Sequence, residues 1–154
     1  MDVEERRAVR AVVLDAAGRV LLMRFTFPGG REVWATPGGG IDDGESDADA
    51  LRRELVEELG VAEAVIGPRL WTRTHTFEWD GRVRTQRETI FLVRVDARQV
   101  ALDVDLTAEG VAEARWWTLA ELHATTEHLV PAALPGALAE ILAGRIRETY
   151  DVGV

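Results

Sequence analysis

The order of apolar and polar residues predicts that the chain begins with strands. Residues 7–27 alternate between the two types in two runs separated by a turn at residues 15–18, so we expect an antiparallel hairpin. A short strand over residues 32–36 follows and runs into the sequence Pro37-Gly38-Gly39-Gly40. Because three consecutive glycines lose too much backbone entropy to form a stable strand or helix interior, we expect a loop there. Such a loop could approach another part of the molecule closely.

Apolar residues at spacings of three and four then predict a helix over about residues 46–59. Ser46 is a suitable N-cap and Gly60 a suitable stop. Glu54, Glu57 and Glu58 share one arc of this helix, where like charges three and four residues apart repel by roughly 0.2–0.5 kcal/mol per pair. Two of them also lie in the last turn, where the helix dipole disfavours carboxylates. A bound cation would reverse both penalties. The stripe predicted to face the core consists of Ala48, Leu51, Leu55 and Leu59.

The second half of the chain predicts two long strands and two further helices. We expect a strand from about residue 70, a turn at Asp80-Gly81 and a strand over residues 82–95. Residues 96–112 lack periodicity and predict a loop. A strand over 113–118, a brief helix over 119–124 and an amphipathic helix over about 131–147 complete the pattern. No internal repeat or linker interrupts it, so we expect a single domain over residues 1–154.

Composition is that of a soluble globular protein, and it excludes several kinds of chemistry. The chain is 47% hydrophobic and 29% charged, and it contains no cysteine, which excludes disulfides, thiolate metal sites and a thiol nucleophile. A net charge of -9 argues against binding to duplex nucleic acid, so an anionic substrate would need a metal ion or a local arginine cluster. No apolar run is long enough to span a bilayer, and the acidic N-terminus does not resemble a secretory signal. We therefore expect a cytoplasmic location and no membrane partner.

A local cluster of arginines lies in the predicted hairpin of residues 70–95 and in the residue just before it. Its arginines either bind an anion or pair across the strands with Glu78 and Glu88 on an exposed face of the sheet, and the sequence does not decide between the two. Trp79 is a candidate for stacking on a base. The candidate contacts for substrate phosphates are Arg24, Arg73, Arg84 and Arg87.

The residues around the predicted helix form a spaced pattern over residues 39–61. Gly39 is followed by Glu45, then by Arg53-Glu54-Leu55, Glu57-Glu58 and Gly60-Val61. This pattern resembles the Nudix box, G-x5-E-x7-R-E-U-x-E-E-x-G-U with U an aliphatic residue, at every fixed position. Residues 34–38 and the strand pattern on either side of the box are also similar to the fold of that family.

The resemblance implies an α/β fold, an α/β/α sandwich with a mixed central sheet. It also implies hydrolysis, dependent on Mg²⁺ or Mn²⁺, of a nucleoside diphosphate linked to another group X. The substrate would be a nucleotide-type small molecule such as a nucleoside triphosphate, a nucleotide sugar or a dinucleotide. The implied metal ligands are Glu54, Glu57, Glu58 and the main-chain carbonyl of Gly39.

The resemblance also implies supporting roles and leaves the general base open. Arg53 would orient the carboxylates of the box, whereas Glu45, Gly38 and Gly60 would support the loop and the helix. The general base could be Glu54, Glu57 or an acid outside the box, for which Glu88 and then Glu127 are the candidates.

Three further questions stay open at the level of the sequence. A non-catalytic nucleotide-binding regulatory module is one alternative, but such proteins commonly lose acids of the box and this chain retains all of them. A Nudix-fold isomerase is another, but its chemistry relies on a cysteine, which is absent here. The oligomeric state is the third, and a homodimer is compatible with the sequence.

Overall fold

A mixed β-sheet lies at the centre of the structure, a computed structural model that describes residues 4–27, 29–79, 81–146 and 150–153. The side chains of Trp79 and Tyr150 are outside that description. In chain order the strands are β1 (Glu4–Leu14), β2 (Val20–Thr26), β3 (Glu32–Ala35), β4 (Gly38–Gly40), β5 (Val65–Trp79), β6 (Arg82–Arg94), β7 (Val111–Trp117), β8 (Leu129–Val130) and β9 (Tyr150–Asp151). The helices are α1 (Asp47–Leu59), α2 (Leu119–Ala124) and α3 (Leu134–Leu142).

Strand β1 is the central strand and makes the sheet mixed. It pairs in antiparallel fashion with β2 and β4 and in parallel fashion with β6 along its whole length. The order of strands is β8-β3-β2-β1-β6-β5-β9, with β4 added beside β1 and β7 beside β2. The predicted hairpin of β1 and β2 is thereby confirmed, and so is the hairpin of β5 and β6, where Trp79 pairs with Arg82.

Helices cover the sheet on both faces, which we call the α1 face and the α3 face. On the α1 face, β1 packs on the apolar stripe of α1, and this core contains Val9, Ala11, Val13, Leu51, Leu55 and Leu59. On the α3 face the alternate residues of β1 pack on α2 and α3, and that core contains Val12, Leu14, Leu122, Leu134 and Leu138. Because a strand between two helical layers is apolar on both sides, residues 8–14 of β1 are hydrophobic except for Arg10. The predicted α/β/α sandwich is confirmed.

Helix α1 forms where the sequence predicts it, with one error in its buried stripe. The side chain of Ser46 accepts a hydrogen bond from the Asp49 N–H at 3.1 Å, and Gly60 ends the helix in the left-handed conformation. Ala48 is exposed, and Ala50 is buried in its place. In the first turn, Asp47 also forms an ion pair with the sheet residue Arg7 at 2.8 Å.

The prediction of a loop at the three glycines is wrong. Residues 38–40 form β4, in which Gly39 pairs with Val9 of β1. Pairing with a central strand offsets the entropy that the glycines lose, and the position demands glycine. A Cβ atom on Gly38 would lie 2.1 Å from the carbonyl oxygen of Val9, and one on Gly39 would lie 2.4 Å from Oε1 of Glu54. The predicted close approach is present, but a strand makes it.

Two other boundaries also differ from the prediction. Strand β5 begins at Val65 rather than near residue 70, because irregularities in its pairing between Ile66 and Trp71 accommodate Pro68. Helix α3 spans Leu134–Leu142 rather than 131–147, since Gly144 adopts the left-handed conformation, while residue 147 lies outside the described residues. The predicted loop of 96–112 contains two short 3-10 turns and ends at β7.

Candidate active site

The acidic arc of α1 lies directly on strand β4. Glu58 accepts a hydrogen bond from the main-chain N–H of Gly38 at 3.0 Å. Glu54 occupies the space next to Gly39 that any side chain at that position would fill. The absence of side chains on β4 therefore brings two carboxylates of the helix against the backbone of the strand.

Glu54 and Glu58 are close enough for the charge of one carboxylate to disfavour ionisation of the other. Glu58 is only 4% exposed. Burial raises the pKa of Glu58 to about 8, and the neighbouring carboxylate of Glu54 adds to the rise through its charge and a hydrogen bond, while Arg10 opposes it. Two carboxylates at such a site cannot both ionise at low cost unless a positive charge joins them. The arrangement therefore suits a cation.

Arg53 connects the helix to the segment that precedes it. Its Nε and one terminal nitrogen bind both oxygens of Glu45, at 2.9 and 2.8 Å, and that nitrogen also donates to the carbonyl oxygen of Gly40 at 3.0 Å. Its other terminal nitrogen lies 3.0 Å from Glu54 and 3.5 Å from Glu57. Hydrogen bonds from Arg53 hold the pKa of Glu45 at about 2, with help from the Asp42 N–H. This geometry suits the orienting role that the sequence predicts for Arg53.

The donor set fits a hard divalent cation, and one of its carboxylates is turned away from the others. Carboxylate and main-chain carbonyl oxygens are the ligands that Mg²⁺ and Mn²⁺ prefer. Glu54, Glu58 and Gly39 are adjacent, but Glu57 is 53% exposed at its side chain and points to Arg53. Within the described ranges, no three acidic, histidine or cysteine side chains are gathered in a ready-made cation site. Glu57 would have to turn away from Arg53 to join the other two carboxylates.

A second charged cluster surrounds Glu88 on β6. Glu88 is 3% exposed and accepts three hydrogen bonds: from Arg10 at 3.0 Å, from Gln86 at 2.7 Å and from Arg73 at 3.1 Å. Burial raises the pKa of Glu88, but the charge of Arg10, a contact with His75 and the charge of Arg73 together hold it well below its usual range. A carboxylate bound by two arginines is a poor proton acceptor, so the geometry does not favour Glu88 as the general base.

The cluster also decides the question left open for Arg73. Arg73 and Glu88 are directly opposite each other in β5 and β6, as expected for cross-strand pairing. The pair is buried, however, rather than on an exposed face, because Arg73 is only 5% exposed. The prediction that Arg73 contacts the substrate directly does not fit this position.

The other predicted phosphate contacts lie in ion pairs on different parts of the surface. Arg24 lies 3.2 Å from Glu113 and 3.4 Å from Glu32, and its guanidinium is 5.9 Å from the centre of the Trp34 ring. Two arginines of β6 pair with glutamates of β1 at 3.3 Å, Arg84 with Glu4 and Arg87 with Glu5. Alternation along β6 places these two pairs on opposite faces of the sheet. The prediction for Trp79 falls on a side chain outside the described residues.

Arg10 is the site residue that the sequence analysis missed. It pairs with Gly38 across β1 and β4 and donates a hydrogen bond to the carbonyl oxygen of Thr36 at 2.9 Å. Its signal in the sequence is that it is a single arginine within the apolar run of residues 8–14. A charge in a strand that is otherwise buried on both faces needs a partner, and here that partner is 78 positions away at Glu88.

A model of one protein family matches most of the chain. The match is to the NUDIX domain and covers residues 4–135. The chain belongs to the Nudix family. This confirms the prediction drawn from the box, and together with the relatives below it identifies a Nudix-type pyrophosphohydrolase.

Relatives of this Nudix protein include several bacterial enzymes named RNA pyrophosphohydrolase. The one from Novosphingobium aromaticivorans is 31% identical over 136 residues, which cover 82% of this chain and 83% of the relative. The one from Teredinibacter turnerae is 33% identical over 121 residues, with 73% and 68% covered.

Solved structures of the family share the fold. The MutT protein of Methanosarcina mazei Go1 has a TM-score of 0.66 at 21% identity, with 96% of this chain and 99% of that chain covered. The MutT NUDIX hydrolase of Burkholderia pseudomallei has a TM-score of 0.65 at 22% identity, with 90% and 98% covered. Among the helices of the described segments, none is long and apolar enough to cross a bilayer.

Proposed function

We propose that this Nudix protein hydrolyses a diphosphate linkage in a nucleotide-type substrate with the help of Mg²⁺ or Mn²⁺. The metal ligands in this proposal are Glu54, Glu57, Glu58 and the main-chain carbonyl of Gly39. The observation that carries it is the contact between α1 and β4, where two carboxylates meet a backbone without side chains. No other arrangement of acids in the described ranges combines burial, mutual repulsion and an adjacent open backbone in this way.

The proposed metal ion and Arg53 have different roles in the reaction. A bound Mg²⁺ supplies neutralisation of the diphosphate charge and a lowered pKa for a coordinated water. Arg53 keeps Glu54 and the Glu45 segment in place. Phosphoryl transfer requires mainly positioning and charge neutralisation, so the absence of a cysteine nucleophile is no obstacle.

Glu57 fits the role of general base better than the other candidates. Its side chain is half exposed and lies 3.5 Å from Arg53, whereas Glu54 lies 3.0 Å from Arg53 and Glu88 is bound by two other arginines. Glu127 is exposed in the turn before β8, outside both charged clusters.

RNA is a second candidate substrate because the relatives at 31–33% identity are named RNA pyrophosphohydrolases. The phosphoanhydride bonds of an RNA lie in its 5′-terminal polyphosphate, which is chemically the same group as in a nucleoside triphosphate. The net charge of -9 argues only against extensive phosphate contacts along a duplex. Recognition of a single-stranded 5′ end is compatible with it.

A substrate panel tests the proposal and separates the two candidates. Wild-type protein is incubated with Mg²⁺ and nucleoside triphosphates, nucleotide sugars, ADP-ribose, dinucleoside polyphosphates or a short 5′-triphosphorylated RNA, and released monophosphate, pyrophosphate and phosphate are measured. We expect Mg²⁺-dependent cleavage of at least one substrate and none by Glu57→Gln. Preference for the RNA over the matching free triphosphate would support the second candidate. Failure to cleave any member of the panel would overturn the proposal.

A further inference from the structure

We propose that Arg10 binds a phosphate oxygen of the substrate and that Glu88, itself fixed by Arg73 and Gln86, orients Arg10 for this contact. The inference rests on the proposed function, since it presupposes a diphosphate at Glu54 and Glu58. It assigns a direct contact to Arg10 and a positioning role to Glu88.

Arg10 lies immediately beside the strand that carries the site. A Cβ atom on Gly38 would be 2.6 Å from the Cα of Arg10 and 2.9 Å from its Cγ, so the arginine stem packs against the bare backbone of β4. Its charge acts on both Glu58 and Glu54. If Glu54 and Glu58 held a divalent cation, the guanidinium of Arg10 would be placed to donate to a phosphate oxygen of a diphosphate bound there.

Two of the three guanidinium nitrogens of Arg10 are fixed and one remains available. Nε donates to Glu88 at 3.0 Å and one terminal nitrogen donates to the carbonyl of Thr36 at 2.9 Å. The other terminal nitrogen has no hydrogen bond to any described residue, and it is not among the buried unpaired atoms. The side chain of Arg10 is 19% exposed. The available nitrogen can therefore donate to a ligand without any rearrangement of the other two.

The charge balance of the cluster points to an anion. Arg10 and Arg73 share the single carboxylate of Glu88, and the other carboxylates that act on Arg10 are Glu58 and Glu54, which the proposed cation would neutralise. The Nε of Arg73 is also buried without a partner among the described residues. With those two glutamates neutralised, Glu88 balances one of the two arginines, and the positive charge of the other is available for an anion from outside. A planar guanidinium held at two of its nitrogens suits a phosphate oxygen better than a lysine ammonium would.

Arg10→Lys is the decisive variant because it keeps the positive charge but loses the fork. With the best substrate of the panel, we expect kcat/KM to fall about 10- to 100-fold, the loss of one charge-assisted hydrogen bond. The melting temperature shift produced by Mg²⁺ alone should stay as in the wild type, since the carboxylates are unchanged. Binding of α,β-methylene-ATP, measured calorimetrically with Mg²⁺ present, should weaken by a similar factor.

Glu88→Gln tests the positioning role against a matched control at the other end of β1. Asp15 is another buried carboxylate paired with an arginine, Arg19, at 2.6 Å. Glu88→Gln and Asp15→Asn each remove a buried negative charge, so both should lower the melting temperature. Well below both midpoints, only Glu88→Gln should raise KM, while Asp15→Asn should keep the wild-type KM and kcat.

Three results decide the inference. Unchanged kcat/KM and analogue binding in Arg10→Lys would overturn the contact, and an equal rise of KM in Asp15→Asn would overturn the positioning role. If the wild-type protein itself cleaves nothing, the proposed function fails. If the wild type is active and Arg10→Lys is equally active, only the inference about Arg10 fails.

Discussion

The three glutamates of α1 differ from one another although they share one arc of the helix. Glu58 is buried and has a raised pKa, Glu54 is fixed by Arg53 and packs on Gly39, and Glu57 is half exposed with only a 3.5 Å contact to Arg53. Burial therefore sets the protonation of one acid, a hydrogen bond sets the direction of the second, and the third is free to move. A residue with that freedom can complete a metal site or accept a proton.

Replacing Glu57 with glutamine tests this division of roles. We expect turnover of the best substrate to fall by several orders of magnitude, because a metal ligand and the favoured base are lost together. Since the side chain is 53% exposed, stability should change by no more than about 0.5 kcal/mol. Glu63→Gln, an exposed change just beyond the helix, is the control and should stay fully active. An active Glu57→Gln enzyme would refute the ligand assignment.

The ion pairs of Glu88 predict a pH-dependent stability. The native pKa of Glu88 lies below the ordinary glutamate value of 4.5, so near and below that pH the unfolded state binds more protons than the native state. The stabilisation by this carboxylate is fully present above about pH 4.5 and is lost as the pH falls. At pH 7, Glu88→Gln should lower the free energy of unfolding by about 3 kcal/mol, the scale for breaking a buried pair.

Urea titrations of wild type and Glu88→Gln at several pH values measure this difference. The gap between the two proteins should narrow as the pH is lowered below about 4.5. A gap that stays constant down to about pH 3 would mean that Glu88 is not held ionised by Arg10 and Arg73.

At the scale of elements, the site is the contact between a helix and a strand that has no side chains. Strand β4 adds to β1 and places Gly39 opposite Val9, while α1 lies on the other side of the same glycine. The contact requires both the helix caps, which fix where the glutamates begin and end, and the glycines, which let the helix approach. A substitution that shifts the helix or the strand locally should therefore reduce activity while the protein still folds.

Gly39→Ala is the direct test of that contact. The new methyl group would meet Oε1 of Glu54 at 2.4 Å, and a carboxylate at the end of a flexible side chain can move away. We therefore expect a folded protein whose activity and Mg²⁺-induced melting shift are largely lost. Gly136→Ala is the matched control, because a Cβ atom at that position of α3 meets nothing within 4 Å. It should gain roughly 0.5–1 kcal/mol of stability and keep its activity. Full activity in Gly39→Ala would contradict the proposed role of β4.

Local signals explain which elements the sequence could predict. Ser46 and Gly60 mark α1 at its ends, and the acids follow from their spacing in the helix. Strand β4 could not be predicted, because its glycines form a strand only when they pair with β1 and pack against α1. The Arg10–Glu88 pair depends on the parallel pairing of β1 with β6, which joins residues 78 positions apart. Spacing along the chain therefore predicts the proposed ligands, whereas Arg10, whose charge acts on Glu54 and Glu58, is recognised only from the fold.

At the scale of the whole molecule, the net charge of -9 disfavours an anionic substrate unless a cation or a local arginine cluster offsets it. The chain has the architecture of the Nudix family, with Glu54 and Glu58 of α1 against β4 and the buried Arg10 nearby. Electrostatic repulsion within the protein should therefore decrease when a divalent cation binds. That the chain forms one domain over residues 1–154, or pairs as a homodimer, stays a prediction.

Mg²⁺ should raise the melting temperature of the wild-type protein, because the native state binds it and the unfolded chain does not. Glu58→Gln is the matched variant. Since burial already raises the pKa of Glu58 to about 8, the glutamine resembles the protonated acid and should not destabilise the metal-free protein. The variant should keep its melting temperature and lose the shift. The absence of any shift in the wild type at millimolar Mg²⁺, with or without nucleotide, would contradict the metal site.

In the proposed function, the acids of α1 that lie on β4 form the metal site that serves diphosphate hydrolysis. The most direct measurement is the initial rate of diphosphate cleavage as Mg²⁺ is added back to chelator-treated wild type and Glu58→Gln. We predict no rate without Mg²⁺, a saturable rise in the wild type, and a rate in Glu58→Gln that stays near zero or saturates only at much higher Mg²⁺. Cleavage without a divalent cation, or identical Mg²⁺ curves for the two proteins, would contradict the account.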